Sequence, residues 1–300
     1  MITIKKIIVI VGPTGVGKTK LSIMLAKKYN GEIINADSMQ IYKDLNIGTA
    51  KITKEEKEGI PHHLFDIKHV TEEYSIYNYQ KDCRKAIKDI QSRNKTVILV
   101  GGTGLYIKSA LYDYKLNEKT NNNNYDNIPT EELYNKLIKL DKDSIDKIDK
   151  NNRRRIINAL SYYLANNKSI TQNKTNKLLY DTYFIGLTTN RDELYKIINN
   201  RVDIMVKNGL IEEVKQFHNN NIYTKPLTGG IGYKELYNYF DNKISLDEAI
   251  DKIKKDSRNY AKRQYTFFNN SLPTKWFNTD YNNFTNTYNE IINYIENNNK

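Results

Sequence analysis

The sequence predicts an α/β fold: a doubly wound parallel sheet with an inserted helical segment and a helical C-terminus. Three observations predict it. Five apolar β-branched residues, Ile7 to Val11, run straight into Gly12-Pro13-Thr14-Gly15-Val16-Gly17-Lys18-Thr19, with a helical pattern behind them. A second strand-to-helix unit follows within 40 residues, the alternation that builds parallel sheets. Finally, a charged, helical stretch interrupts the chain before another apolar strand resumes at Tyr183.

The first element fits G-x-x-x-x-G-K-[ST], which needs a buried strand before it and a helix after it. Leu21, Met24, Leu25 and Lys28 recur at helical spacing, and Asn30-Gly31 stops the helix. The three glycines let backbone N–H groups ring an oxyanion. The helix N-terminus adds a favourable dipole, Lys18 a mobile charge and Thr19 a hydroxyl for Mg²⁺. The loop therefore predicts binding of a di- or triphosphate by Gly12 through Thr19 on a P-loop NTPase-like core.

A strand over Glu32–Ala36 comes next and delivers Asp37 to the carboxyl edge of the sheet, where ligands of such sheets sit. Thr53–Thr71, containing Pro61-His62-His63, reads as a loop over the sheet. Tyr77–Arg93 reads as an amphipathic helix with Tyr79, Cys83, Ala86, Ile87 and Ile90 on one face. Thr96–Val100 is a buried strand, followed by Gly101-Gly102-Thr103-Gly104 and a helix to about Tyr112.

The chain then changes character. Asn117–Thr130 holds an unbroken run, Asn121 to Asn124, with little that could pack. Glu131–Leu164 reads as helical and carries Arg153-Arg154-Arg155; Asn166–Lys177 reads as a polar loop. The predicted organisation is a first core part over 1–112, a helical insertion over 113–180, a second core part over 181–227 and a C-terminal helical region over 228–300. Within the last two, Arg191–Asn219 reads as helix broken near Asn208-Gly209. Pro226–Gly232 reads as a Gly-rich turn, with helix from Tyr233 onward.

Charge narrows the partners. The net charge is +12, which points to a polyanion. No apolar run approaches the roughly 20 residues of a membrane span, so nucleic acid is favoured over a membrane surface. The N-terminus shows no signal-peptide pattern. The single cysteine, Cys83, excludes an internal disulfide, fits a reducing cytoplasmic interior and reads as a packing residue. His62-His63 has only Asp66 as a nearby acid and reads as loop packing rather than a metal site.

A phosphate loop alone allows switches, motors, kinases and transferases. A nucleotide-hydrolysing site normally has a carboxylate ending a buried strand, yet Thr96–Val100 ends in glycines and a threonine. The acid stands one strand over, at Asp37. It could draw a proton from an incoming nucleophile while the loop stabilises a departing polyphosphate; it could equally cap the helix that follows.

GPTGVGKT, NADSMQIYKDLNIGTAK, PHHLFD and GGTGLY, in that order, resemble the tRNA dimethylallyltransferases. The resemblance continues through NRRRIINAL, IGYKEL and NYAKRQ and covers about residues 5 to 270. It implies that the loop holds the diphosphate of dimethylallyl diphosphate. The five-carbon group would pass to N6 of the adenine 3′ of the anticodon, in tRNAs reading codons that begin with U. It implies Asp37 as general base, with Thr103, Arg201 and Lys18 in the catalytic set and Thr19 holding Mg²⁺. For the tRNA anticodon stem-loop it implies contacts from Asp37, Ser38, Met39, Gln40, Thr103, Arg154, Arg155, Ile231, Gly232, Tyr233, Lys234, Lys262, Arg263, Gln264 and Thr266. Lys252 and Lys255 extend the last group along helical turns as a phosphate-tracking face. A closed pocket between core and insertion, and a monomer, are expected.

The chain departs from the family at Asn158 and Ser161, where Arg and Glu are common, and at Gly229, where a basic or polar residue is usual. It also departs at Phe267-Phe268. Two rivals share the loop: a prenyltransferase acting on free adenine nucleotides, and a small-molecule kinase. The insertion and the basic C-terminal helices argue against the first. The second predicts an arginine-rich lid, for which NRRRI could be mistaken.

Overall fold

The computed structural model describes residues 4–114, 116, 125–171 and 174–298. The chain runs β1 (Ile7–Val11), α1 (Lys18–Lys28), β2 (Gly31–Asn35), β3 (His62–His63), α2 (Ile76–Ser92), β4 (Thr96–Val100) and α3 (Gly104–Leu111). Next come β5 (Tyr112–Tyr114), α4 (Thr130–Leu140), a 3₁₀ turn, α5 (Arg153–Asn166) and β6 (Lys174–Leu178). Then follow β7 (Thr182–Thr188), α6 (Arg191–Lys207), α7 (Leu210–Asn219), α8 (Lys225–Gly229) and α9 (Tyr233–Phe240). The chain closes with α10 (Leu246–Ser271), β8 (Lys275–Asn278) and α11 (Phe284–Asn297). The run Asn121–Asn124 lies outside the described residues.

It divides into two compact units, one of residues 1–110 with 180–300, the other of 111–179. The larger unit is built on a six-stranded sheet in the order β3-β2-β4-β1-β7-β8, parallel at every pairing. All residues of β1 and β2 are buried, which is why β1 reads as an unbroken apolar run rather than an alternating one. The chain leaves β1 toward β2 on one side and later pairs β7 on the other. A crevice therefore opens at the carboxyl end of β1.

Four strand ends converge on that edge: Val11 leads into the phosphate loop, Asn35 into Asp37, Val100 into Thr103, and Thr188 into α6. The core beneath joins Ile8, Ile10, Ile33, Ile98 and Ile185 of the sheet to Leu21 and Leu25 of α1 and to Phe284, Ile291 and Ile295 of α11. A second cluster ties Val202 of α6 to Val214, Leu227, Leu236 and Ile253 of α7 to α10. Cys83 is buried in α2, and burial pushes its thiol up to about 12, as fits a packing residue. Its neighbour Tyr79 stacks on Tyr106 at 4.0 Å and donates to Asn35 O at 2.9 Å.

The smaller unit packs α4 against α5 through Leu133, Leu137, Ile156 and Leu160. β5 and β6 form an antiparallel pair at its base.

Several sequence expectations are corrected. His62-His63 is a strand, pairing with Ile33 and Ile34. The stretch read as a polar loop over Asn166–Lys177 contains most of β6. The Gly-rich turn after Thr224 begins as α8, with proline in its first turn. The stretch 228–300 is not helical throughout, because β8 returns to pair with β7 from Ile185↔Lys275 to Thr188↔Asn278. Short edge strands made of polar or aromatic residues carry no periodic signal, and partners distant in the chain decide them.

Candidate active site

The phosphate loop has left-handed backbone at Gly12 (φ 139°), Gly15 (φ 86°) and Gly17 (φ 89°). Side chains would strain the turn and also collide: a Cβ on Gly15 would stand 2.5 Å from Ile197 Cγ2. α1 begins at Lys18 with no side-chain cap and no acid in its first turn. By contrast α6, α7 and α10 each carry two acids there. The N–H groups and positive dipole end of α1 are thus left to an outside anion. Lys18 Nζ donates to Gly12 O at 2.9 Å and Pro13 O at 2.5 Å. Burial, with the Arg201 charge adding to it and Asp37 opposing it, pushes its ammonium down to about 7.

Asp37 leaves β2 on a turn fixed by Asn35, which is 1% exposed. Asn35 Oδ1 accepts from Asp37 N at 2.8 Å, and its Nδ2 donates to Asp37 O at 2.9 Å and Leu64 O at 3.0 Å. Met39 N donates to Asp37 Oδ1 at 2.9 Å, so one carboxylate oxygen orients the side chain. Thr103 Oγ1 accepts from Ser38 N at 3.1 Å and donates to Ser38 Oγ at 3.3 Å. That bond ties the loops after β4 and β2 together.

Arg201 reaches in from α6 and donates to Thr49 O at 3.4 Å; Gln40 Nε2 donates to the same carbonyl at 3.0 Å. Burial lowers the Arg201 pKa, and the Asp37 charge opposes the fall. The segment bearing Thr49 is itself clamped. Glu213 on α7 accepts from the N–H groups of Asn46 (3.0 Å), Ile47 (2.7 Å) and Gly48 (3.0 Å) and from the Tyr233 hydroxyl (2.6 Å).

α10 closes the far side. Gln264, 5% exposed, donates to Gly102 O at 3.0 Å, and the Tyr260 hydroxyl does so at 3.4 Å. Burial, reinforced by Asp37, pushes the Tyr260 phenol up to about 12. Gly102 and Gly104 permit this docking, since Cβ atoms there would stand 2.2 Å from Gln264 Nε2 and Phe267 Cδ1.

Lys18, Asp37, Thr103, Arg201 and Gln264 are thus brought to one crevice. Its electrostatics are uneven, with two desolvated cations sharing one carboxylate. A polyanion beside Lys18 and Arg201 corrects the imbalance. Thr19 is exposed, and its hydroxyl makes no hydrogen bond among the described residues.

Other expected contacts are sorted by their surroundings. Lys262, Arg263 and Thr266 are exposed on α10, as are Lys252 and Lys255. Thr266 bonds back to Lys262 O at 3.1 Å. Tyr233 is fully buried with its hydroxyl on Glu213. Lys234 is held by Asp256 at 2.7 Å. Met39 packs on Gly230, where a Cβ would meet its Cε at 2.5 Å. Ile231 is half-buried and Gly232 has φ 94°. A Cβ on Gly229 would meet nothing within 4 Å, so the usual family side chain would fit.

In the smaller unit Arg153 turns inward, donating to Ile128 O at 2.6 Å and to Tyr125 O. Arg154 and Arg155 are exposed in the first turn of α5, a position that disfavours cations unless an anion is near. His63 Nε2 lies 2.7 Å from Glu32 Oε2, which Arg93 also binds. No group of three His, Cys, Asp or Glu is placed to hold a metal among the described residues. Sequence reasoning did not single out Asn35, Glu213 or Tyr260. Asn35 and Tyr260 stand inside the blocks NADSMQ and NYAKRQ, whereas Glu213 left no signal.

Residues 40–271 match the family model described as IPP transferase. The chain is 49% identical to a protein of Anoxybacillus flavithermus named tRNA dimethylallyltransferase, over 97% of this chain and 96% of that one. Among solved structures it is similar to the tRNA isopentenylpyrophosphate transferase of Bacillus halodurans, at TM-score 0.76 and 42% identity, covering 98% of this chain and 96% of that one. It is also similar to a eukaryotic dimethylallyltransferase acting on tRNA, at TM-score 0.87 and 32% identity, covering 98% of this chain and 79% of that one.

Proposed function

The chain belongs to the IPP transferase family, and on that premise we propose that it transfers a dimethylallyl group from dimethylallyl diphosphate to N6 of the adenine 3′ of the tRNA anticodon, in tRNAs reading codons that begin with U. One observation carries the proposal: a phosphate loop with two half-buried cations, Lys18 and Arg201, faces a single oriented carboxylate, Asp37. That arrangement suits a polyphosphate that leaves while a proton is removed nearby.

Gly12, Pro13, Thr14, Gly15, Val16, Gly17, Lys18 and Thr19 cradle the diphosphate, with loop N–H groups and Lys18 on its oxygens and Arg201 alongside. The bond from the allylic carbon to the diphosphate oxygen breaks, and its electron pair leaves with the diphosphate. A new bond forms from adenine N6 to that carbon, and the N6 proton passes to Asp37. Developing charge on the leaving group is the barrier these cations lower. Thr103, held beside Ser38, borders the position of the target nucleotide. Extrusion of the adenine from the anticodon loop precedes transfer.

Mg²⁺ fits the donors present. It binds through one or two protein oxygens plus substrate phosphates, and Thr19 offers such an oxygen beside the cradle. When bound, it supplies further charge neutralisation on the diphosphate.

For RNA, exposed Arg154 and Arg155 of the smaller unit and exposed Lys262 and Arg263 of α10 are assigned to phosphates; Ser38, Gln40 and Gln264 lie nearer the reacting base. The reading is of a monomer acting on tRNA and dimethylallyl diphosphate. We place it in the cytoplasm, consistent with a single, buried, unpaired cysteine; no helix among the described residues is long and apolar enough to cross a membrane.

The site of transfer is tested by incubating unmodified tRNA with dimethylallyl diphosphate and Mg²⁺, then digesting and mapping nucleosides by mass. N6-isopentenyladenosine 3′ of the anticodon is expected, and its loss when that adenine is replaced by guanosine. Modification elsewhere would refute the assignment.

A further inference from the structure

Tyr195 of α6 is surrounded by three cations. The Arg191 and Arg258 guanidinium carbons lie 5.2 and 5.8 Å from its ring centroid, and the Lys262 ammonium lies at 6.0 Å. Arg191 Nε also donates to the Tyr195 hydroxyl at 3.2 Å, and Arg258 donates to Asn199 Oδ1 at 2.5 Å. Two helices far apart in sequence therefore build one cluster.

Among the described residues none of these three cations is ion-paired with a carboxylate. Their neighbours differ. Lys254 of α10 is paired with Asp203 at 2.6 Å, and Lys234 with Asp256 at 2.7 Å. Lys254 is thus neutralised within the α6–α10 contact, while these three cations stand together around one aromatic ring and repel one another. An external anion relieves that repulsion.

The location identifies the anion. On α10, Tyr260 and Gln264 reach Gly102 O beside Asp37, while Arg258 and Lys262, two positions before each, lie on the face toward α6. On α6, Ile197 abuts Gly15 and Arg201 reaches Thr49. The cluster stands within two helical turns of both halves of the crevice. Cations interleaved with an aromatic face are the means by which proteins hold single-stranded nucleic acid. A small diphosphate is already served by the phosphate loop.

We propose that Arg191, Tyr195, Arg258 and Lys262 form a ledge for the RNA strand flanking the reacting adenine, the cations holding successive phosphodiesters and the Tyr195 ring carrying a base or ribose. This rests on the tRNA reading above and extends it to Arg191, Tyr195 and Arg258.

The test is binding of an unmodified anticodon stem-loop across a KCl series, alongside the KM for dimethylallyl diphosphate. The Arg191→Gln/Arg258→Gln double variant should bind RNA about tenfold or more weakly near physiological salt, and its log Kd against log salt should be shallower by roughly 1.4. Arg258→Lys should keep the slope, which separates charge from the packing on Asn199. Tyr195→Ala should weaken RNA about tenfold with the slope unchanged, and Tyr195→Phe should bind as the parent does. Lys254→Gln, whose charge is already paired, should leave the slope alone. The KM for dimethylallyl diphosphate should not move in any of them. An unchanged slope in the double variant overturns the ledge, as does a raised diphosphate KM with RNA affinity intact. Loss of transfer to tRNA by the parent protein would instead overturn the function on which the ledge rests.

Discussion

At the scale of single residues, two groups have opposite duties. Asp37 is oriented through Met39 N and the Asn35 amide, leaving its other oxygen for chemistry. Asp37→Ala should abolish transfer while tRNA affinity stays within a few-fold, read by single-turnover transfer and filter binding. Near-normal turnover would remove it as the base. Lys18 has the complementary duty. Its ammonium, pushed down to about 7 by burial, with Arg201 adding to the fall, is largely neutral in the free protein at pH 8. A bound diphosphate favours the charged form and raises that pKa. Binding at pH 8 should therefore take up close to one proton, and binding at pH 6 almost none from this group. Calorimetry in buffers of different ionisation enthalpy reads the difference; equal uptake at both pH values would contradict it. The signs agree: a lowered pKa means the free protein carries fewer protons above 7 than an ordinary lysine, and the ligand restores them. Lys18 and Thr19 stood out in the sequence because a motif fixes their spacing, whereas Asp37 took its role only from the family resemblance. Asn35 did not stand out, since nothing local says that a buried amide will turn back onto its own chain.

At the scale of elements, the segment from Asp37 to Thr49 is a loop made rigid by its neighbours. Glu213 gathers three N–H groups and the Tyr233 hydroxyl onto one carboxylate, and the Thr49 carbonyl then receives Arg201 and Gln40. Glu213→Ala should lower stability by about 2 kcal/mol, since it leaves several donors without their charged acceptor. The urea midpoint should fall with the m-value unchanged. kcat should fall as well, because the Arg201 anchor is loosened. An unaltered midpoint would show that α7 does not hold the loop. Elements with strong periodicity, such as β1, α1, α2 and the α6–α7 break at Gly209, could be read directly. β3, β6 and β8 could not, because each is short and defined by a partner strand. β8 shows this best: Lys275–Asn278 has no apolar run, yet Phe277 is buried in the main core beside β7.

At the scale of the whole molecule, a net charge of +12 suggests a polyanion but does not say which face meets it. The structure divides the cations by pairing: Lys234, Lys254 and Arg93 are neutralised internally, whereas Arg154, Arg155, Lys262 and Arg263 stay exposed. tRNA affinity should therefore fall steeply with salt, as counterion release requires, and a flat response would contradict an electrostatic footing for binding. The composition changes near residue 113, and the compact units divide after residues 110 and 179. Tyr195 and its cations were not, since they come together only when α6 packs against α10.

The most direct test of the account is transfer from radiolabelled dimethylallyl diphosphate, with Mg²⁺, to unmodified tRNA and free AMP offered side by side. Label in tRNA alone is expected. Label in AMP, or in neither while ATP is turned over, would contradict it.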